Sequence, residues 1–246
     1  TMAEQCNKLP WPENKWVAQL LVWYKKEQRD FPWRRELNVY NTWVCEVMSQ
    51  QTSLTAVLPK YLEFILQLPT LESLSQCSEP KLRQLWAGLG YYARARNLQK
   101  GANFLLQQYN GLFPSKYEEW LRVPGCGPYT AAAISSICFS YPVACVDGNV
   151  VRVVSRLLGL GNEVWEASGQ NKIRKFVNEF LPKNAPGDFN QAMMEMGAVV
   201  CKKKQPLCHI CPIQFSCIAY AKGIVATCPP NKPRRDFVNE KIYGFV

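Results

Sequence analysis

Apolar residues recur along most of this chain at the three-and-four spacing of a helix rather than at the alternation of a strand. Residues 14–28 carry Trp16, Val17, Leu20, Leu21, Trp23 and Tyr24 on one such stripe. Pro32 then interrupts, within Arg29-Asp30-Phe31-Pro32-Trp33-Arg34-Arg35. A second stripe over about 41–52 holds Trp43, Val44, Val47, Met48 and Gln51. The same periodicity predicts helices over about 55–67, 79–86, 91–109, 115–122, 129–139, 148–159, 170–181 and 188–200. Gly, Pro, Asn and Ser fill the connectors, as helix punctuation should. No strand ladder is evident before residue 235, and there is no internal repeat. From about residue 226 the chain reads as a Pro-rich linker, and Asp236 to Val246 then reads as a strand opening a further domain.

The longest uncharged run, Val123 to Val146, is long enough to span a bilayer by count. It contains Pro124, Gly125, Gly127, Pro128 and Pro142, so it reads as a loop feeding a buried helix. The chain has 246 residues, 48% of them hydrophobic and 20% charged, which excludes a disordered chain. Lys and Arg total 29 against 19 Asp and Glu, a formal charge of +10. That excess suits a polyanion, nucleic acid first and an anionic membrane surface second. A single histidine, His209, makes a His-based relay a poor expectation.

Eleven cysteines are too sparse and too uneven for a disulfide scaffold. Seven are scattered. The other four, Cys201, Cys208, Cys211 and Cys217, lie within 17 residues at x6, x2 and x5 spacing. Four thiolates at this density can wrap a tetrahedral zinc or a cubane cluster, and the wide first and last gaps suit the larger cluster. Lys202, Lys203 and Lys204 lie in the loop that the metal would stiffen, where they suit phosphate contact.

Three further stretches carry chemistry. Leu121-Arg122-Val123-Pro124-Gly125-Cys126-Gly127-Pro128 places two glycines before a small-residue helix, where exposed amides can bind a phosphate. It can equally be an ordinary helix corner. Asp147 stands before an amphipathic helix as an N-cap, a position that keeps a carboxylate ionised. Glu46, flanked by Cys45 and Val47, sits in apolar surroundings that raise a carboxyl pKa toward neutrality. Two carboxylates with separated pKa values form the pair that cleaves glycosidic bonds.

Together these stretches resemble the helix-hairpin-helix DNA glycosylases that carry a [4Fe-4S] cluster, and within them the MutY branch, the adenine glycosylases. The resemblance covers about residues 14–220. It rests on the cysteine spacing, Val123-Pro124-Gly125-Cys126-Gly127 and Val146-Asp147-Gly148-Asn149-Val150. Leu85-Trp86-Ala87-Gly88-Leu89-Gly90-Tyr91-Tyr92 and Asp188-Phe189-Asn190-Gln191-Ala192 also match. Ser49 and Cys126 depart from the family pattern. Tyr129 stands where the endonuclease III branch has a lysine, and a phenol cannot form that lysine's imine.

The resemblance implies an all-α, bilobal fold with DNA across the cleft. A six-helix barrel lobe would cover 31–141, and a cluster lobe 1–30 with 142–220. Residues 221–246 would be a linker and the start of a MutT-like domain. It implies a [4Fe-4S] cofactor on the four cysteines and phosphate contacts at Val123, Gly125, Gly127 and Lys202–Lys204. Gln51 and Tyr91 would wedge into the duplex, and Arg29, Trp33, Arg34 and Gln191 would form an adenine pocket. Glu46 would be the acid and Asp147 the stabiliser of the sugar cation, with Tyr129 and Asn149 in support. The partner would be double-stranded DNA with adenine opposite 8-oxoguanine or guanine, bound by a monomer away from membranes. The expected compartment is nucleus or mitochondrion in a eukaryote and cytoplasm in a bacterium. Two alternatives remain at this stage: a thymine, uracil or endonuclease III-like glycosylase, and a non-enzymatic DNA-binding module with structural zinc.

Overall fold

The computed structural model describes residues 15–232. The predicted strand over 236–246 lies outside the described residues. Those described are helical throughout, with no strand among them. Four helices open the chain: α1 (Lys15–Glu27), α2 (Pro32–Arg35), α3 (Val39–Met48) and α4 (Leu54–Gln67). Then come α5 (Leu71–Ser75), α6 (Glu79–Leu85), α7 (Ala93–Tyr109), α8 (Tyr117–Trp120) and α9 (Pro128–Phe139). The last group is α10 (Gly148–Leu158), α11 (Ala167–Phe180), α12 (Pro186–Val199) and α13 (Ile218–Ala221). None of these helices is long and apolar enough to cross a membrane.

The apolar stripes close into two main cores. One gathers Trp43, Val44, Phe64, Trp86, Leu98, Trp120 and Ile134 from α3 to α9. The other joins Trp16, Leu20 and Tyr24 of α1 to Val153, Phe176, Phe189, Met193 and Met196, far along the chain. Burying each large apolar side chain contributes about 1.5–3 kcal/mol, so α1 is held to residues more than a hundred positions away by its stripe. Helix α12 packs on α1 and α10 and also on α9, and it thereby bridges the two cores.

Local signals set the boundaries that matter for the site. The Asp147 carboxylate caps α10, accepting the Val150 N–H at 2.8 Å, and Gly159 ends the helix at φ 63°. Gly197 of α12 lies so close to Asn149 that an added Cβ would meet its Cβ at 2.6 Å. The start of α10 is therefore pressed onto α12.

Three sequence expectations are corrected. Pro32 does not merely interrupt: it begins α2, where its missing N–H costs nothing. The helix expected over 41–52 stops at Met48, and Gln51 turns to φ 57°. The helix expected from 91 starts at Ala93, with Tyr91 at φ 45°.

Candidate active site

A cavity of about 300 Å³ opens between the segment 29–34, α3, α9, the start of α10 and α12. Its walls hold Glu46, Tyr129, Asp147 and Asn149, together with Arg29, Trp33, Arg34 and Gln191. All four catalytic candidates and all four base-pocket candidates thus face one space.

Glu46 lies on α3, whose neighbours Cys45 and Val47 point into the first core. Its Oε2 is inaccessible and has no hydrogen-bond partner among the described residues. Burial pushes its carboxyl up to about 7. The Tyr129 phenol opposes the rise, the Asp147 charge adds to it, and the Arg34 guanidinium opposes it again. The cause is the one expected from apolar flanks: the charged form has lost its water. The result is a carboxyl that holds a proton through about half of its population near neutral pH, as a general acid requires.

Tyr129 sits in the first turn of α9 and donates from its hydroxyl to Met194 Sδ at 3.2 Å. Burial, then the Glu46 charge, raises its pKa well above the usual phenol value, so it is a neutral donor. Asp147 is held differently from Glu46. Its Oδ1 takes the Val150 N–H and its Oδ2 takes the Asn149 amide, both at 2.8 Å. Asn149 Oδ1 accepts from Arg152 Nη2 at 2.8 Å, and Arg152 Nε donates to the Cys201 carbonyl at 2.8 Å. A continuous chain of polar contacts therefore runs from the cavity carboxylate to the first of the four clustered cysteines.

Sequence reasoning missed Glu195, which also lines the cavity and whose side chain is 1% exposed. It accepts from Arg29 Nε at 2.7 Å and from Arg34 Nη2 at 3.0 Å. The signal was present: Glu195 lies four residues after Gln191, on the same face of α12. Arg152, three residues after Asn149 on α10, carried the same kind of signal and was also missed.

The two wedge candidates stand at loop tips, Gln51 exposed and Tyr91 67% exposed. One side chain ties both tips. Arg94 Nη1 donates to the Val47 and Met48 carbonyls at 3.0 Å each and to the Gln50 carbonyl. Its Nη2 donates to the Leu89 carbonyl at 2.9 Å, and its guanidinium lies over the Tyr91 ring. Gln50 Nε2 reaches Thr130 Oγ1 of α9 at 3.0 Å, linking the first tip to the hairpin helix.

At the hairpin, Gly125 adopts φ 83°, and a Cβ there would meet Asn97 Cβ at 2.8 Å, so only glycine fits. Gly125 and Gly127 are exposed before α9, and their N–H groups are not engaged among the described residues. Val123 differs. Its side chain is buried, and its N–H is donated to the Trp120 carbonyl at 3.0 Å. The Val123 N–H is thus engaged in the turn, unlike those of Gly125 and Gly127.

Cys201, Cys208, Cys211 and Cys217 are half-buried free thiols between the ends of α12 and α13. Burial, and then the nearby Cys201 charge, raises the Cys208 thiol. Arg156, 2% exposed, donates from Nη1 to Cys201 Sγ at 3.2 Å and to the Lys202 carbonyl at 2.8 Å. Lys202, Lys203 and Lys204 project outward, exposed. An all-sulfur donor set with a buried cation aimed at one sulfur suits a thiolate-bound iron-sulfur group. As the side chains stand, no group of three described His, Cys, Asp or Glu residues is arranged to hold a single metal ion.

Comparison with known proteins adds a lineage to this geometry. The adenine DNA glycosylase of Rattus norvegicus is 40% identical over 212 residues, 82% of this chain and 41% of that protein. That of Buchnera aphidicola (strain Bp) is 35% identical over 230 residues, 92% of this chain and 64% of that protein. The chain spans about two fifths of the mammalian relatives it matches. Among solved structures, a thermostable thymine-DNA glycosylase superposes with TM-score 0.76 at 26% identity, over 84% of this chain and 95% of that one. An endonuclease III in a non-covalent DNA complex shares the fold, with TM-score 0.71 at 24% identity over 85% and 94%. A model of the HhH-GPD superfamily of base excision DNA repair proteins matches residues 44–183. That span exceeds half of the sequence: the chain belongs to the HhH-GPD superfamily of base excision DNA repair proteins.

Proposed function

We propose that the chain is the catalytic region of a DNA glycosylase that removes adenine opposite 8-oxoguanine or guanine. The observation that carries this reading is one cavity with two unlike carboxyls: Glu46, half-buried with an inaccessible Oε2 and raised to about 7, and Asp147, fixed by two N–H donors. Adenine would enter by flipping out of the stack, with Gln51 and Tyr91 filling the gap. Protonated Glu46 donates to N7 of the base. The bond from the sugar C1′ to N9 breaks, and its electron pair leaves with adenine. The Asp147 carboxylate faces the sugar cation that remains, held in place by Asn149. Water adds to C1′ and returns its proton to Glu46. With Tyr129 in place of a lysine, no imine forms and no strand cleavage follows.

Gly125, Gly127 and Lys202–Lys204 would contact phosphates on either side of the flipped base. Cys201, Cys208, Cys211 and Cys217 would hold a [4Fe-4S] cluster. Such a cluster would stiffen the basic loop, which Arg156 of α10 already holds through Cys201 Sγ and the Lys202 carbonyl.

The test is a single-turnover assay on duplexes with A opposite 8-oxoguanine, A·G, T·G and damaged pyrimidines, with and without alkali. Adenine release that gives strand breaks only after alkali is expected, from a preparation with broad visible absorption. Release of thymine or of damaged pyrimidines in its place would overturn the substrate, strand breaks without alkali would overturn the monofunctional step, and a colourless metal-replete preparation would overturn the cluster.

A further inference from the structure

Glu195 has no part in the reaction as written, yet it lies in the wall of the same cavity with its side chain 1% exposed. Its Oε1 accepts the Arg29 Nε at 2.7 Å and the Arg29 backbone N–H at 3.1 Å. Its Oε2 accepts Arg29 Nη2 and Arg34 Nη2, each at 3.0 Å. Arg34 Nη1 closes the ring by donating to the Arg29 carbonyl at 3.0 Å. Both guanidiniums lie over the Phe31 ring, which stacks on Trp33 at 4.7 Å. One carboxylate thus organises the whole 29–34 segment as a cavity wall.

We propose that Glu195 is a positioning residue for base release: it fixes Arg29 and Arg34 in the cavity wall and offsets their charge beside Glu46. The inference rests on the reading of Glu46 as the acid.

Glu195 also opposes the cation that reaches Glu46. Facing Glu46 are Cys45 on its own helix, Arg34 on α2, Tyr129 and Cys138 on α9, and Cys145 and Asp147 before α10. Arg34 is the cation among them, with Arg29 bonded to the same acceptor. A cation beside Glu46 favours its carboxylate and so removes the proton that the reaction uses. Glu195 balances one of the two guanidinium charges and turns both away from solvent-like freedom. Burial favours its neutral form, but the bonds from Arg29 and Arg34 prevail and hold it at about 2, so it stays ionised across any assay range. Neutralising Glu195 would leave Arg34 unbalanced beside Glu46, and Arg29 unbalanced behind it.

The experiment is the pH profile of single-turnover adenine release over roughly pH 5–9, for the wild type and for Glu195→Gln, Glu195→Asp, Arg34→Met and Glu46→Gln. The wild type should lose rate above neutrality as Glu46 deprotonates. Glu195→Gln should move that alkaline limb to lower pH by about one unit, costing roughly tenfold on the alkaline side and much less on the acid side. Glu195→Asp keeps the charge and should keep the limb in place, whatever its rate. Arg34→Met removes the opposing cation and should move the limb the other way, which retains the test if Glu195→Gln does not fold. An equal loss at every pH in Glu195→Gln, or an unmoved limb in Arg34→Met where Glu195→Gln does not fold, would overturn the inference and leave Glu195 a structural wall. A wild-type profile without an alkaline limb, with Glu46→Gln still active, would overturn the acid reading itself and this inference with it.

Discussion

Two walls of one cavity each present a glutamate, and the two behave as opposites. On α3, Glu46 has an inaccessible Oε2 with no partner among the described residues, and its carboxyl rises to about 7. On α12, Glu195 is 1% exposed with four N–H donors, and its carboxyl falls to about 2. Loss of water pushes both in the same direction. The partners decide the outcome: burial against one neutral phenol makes a proton carrier, and burial with two guanidiniums makes a permanent anion. The wall proposed to react keeps an unpaired carboxylate oxygen among the described residues, while the wall that holds the 29–34 segment is saturated.

The strongest way to break the comparison is to remove the proton from the reactive wall. Glu46→Gln keeps the shape of α3 and cannot ionise. Its rate of adenine release should fall by about two to four orders of magnitude, the range general acid catalysis supplies. Affinity for mismatch DNA should hold, since Glu46 touches no phosphate-binding element. Full activity in single-turnover assays would show that the raised carboxyl is incidental.

The next largest effect belongs to the saturated wall, and it is read in stability. Glu195→Gln leaves Arg29 and Arg34, the latter 13% exposed, without their anion. Breaking a buried pair in this way costs about 3 kcal/mol, measurable as a lower urea midpoint near neutral pH. The pH dependence has a definite sign. The folded-state pKa of Glu195 is depressed, so its contribution is present above its unfolded value of 4.5 and is lost as pH falls toward about 2. The gap between wild type and variant should therefore narrow in acid. A gap that stays constant down to pH of about 2 would mean that packing, not charge, holds the segment 29–34.

The sequence made one of these walls legible and hid the other. Glu46 stood out because apolar neighbours on both sides of a polar residue are unusual on a helix stripe. Asp147 stood out as a cap before an amphipathic run, and the cap is present. Glu195 was passed over because periodicity assigns charged residues to the solvent side; its spacing from Gln191 put it on the cavity face, but nothing local shows that α12 packs on both α1 and α9. Helix α2 was hidden by its length, since four residues carry no period. The loop tips were hidden for a further reason. Gln51 and Tyr91 take positive φ without being glycine, at a cost met by tertiary bonds from Arg94 that no local pattern displays.

The smallest effect sharpens the comparison most, because it should run against intuition: Glu46→Gln should stabilise the fold. The folded pKa of Glu46 is raised from 4.5 to about 7. Below 4.5 both folded and unfolded chains carry the proton, and the carboxyl costs nothing. Between 4.5 and about 7 the unfolded chain releases it while the folded chain retains it, so stability falls as pH rises. Above about 7 the folded chain carries a desolvated charge, and the loss stays constant. The side chain is only half-buried toward the cavity, so water tempers the penalty to about 1–2 kcal/mol. Glutamine avoids it at every pH. The variant should melt about 2–4 °C above the wild type at roughly pH 8 and level with it at about pH 4. The wild type would then be less stable than its inactive variant only where Glu46 is charged, and the opposite response of Glu195→Gln would place the cost of catalysis on a single wall. Equal melting curves at both pH values would mean that Glu46 is solvated like any surface glutamate, and the contrast between the walls would fail.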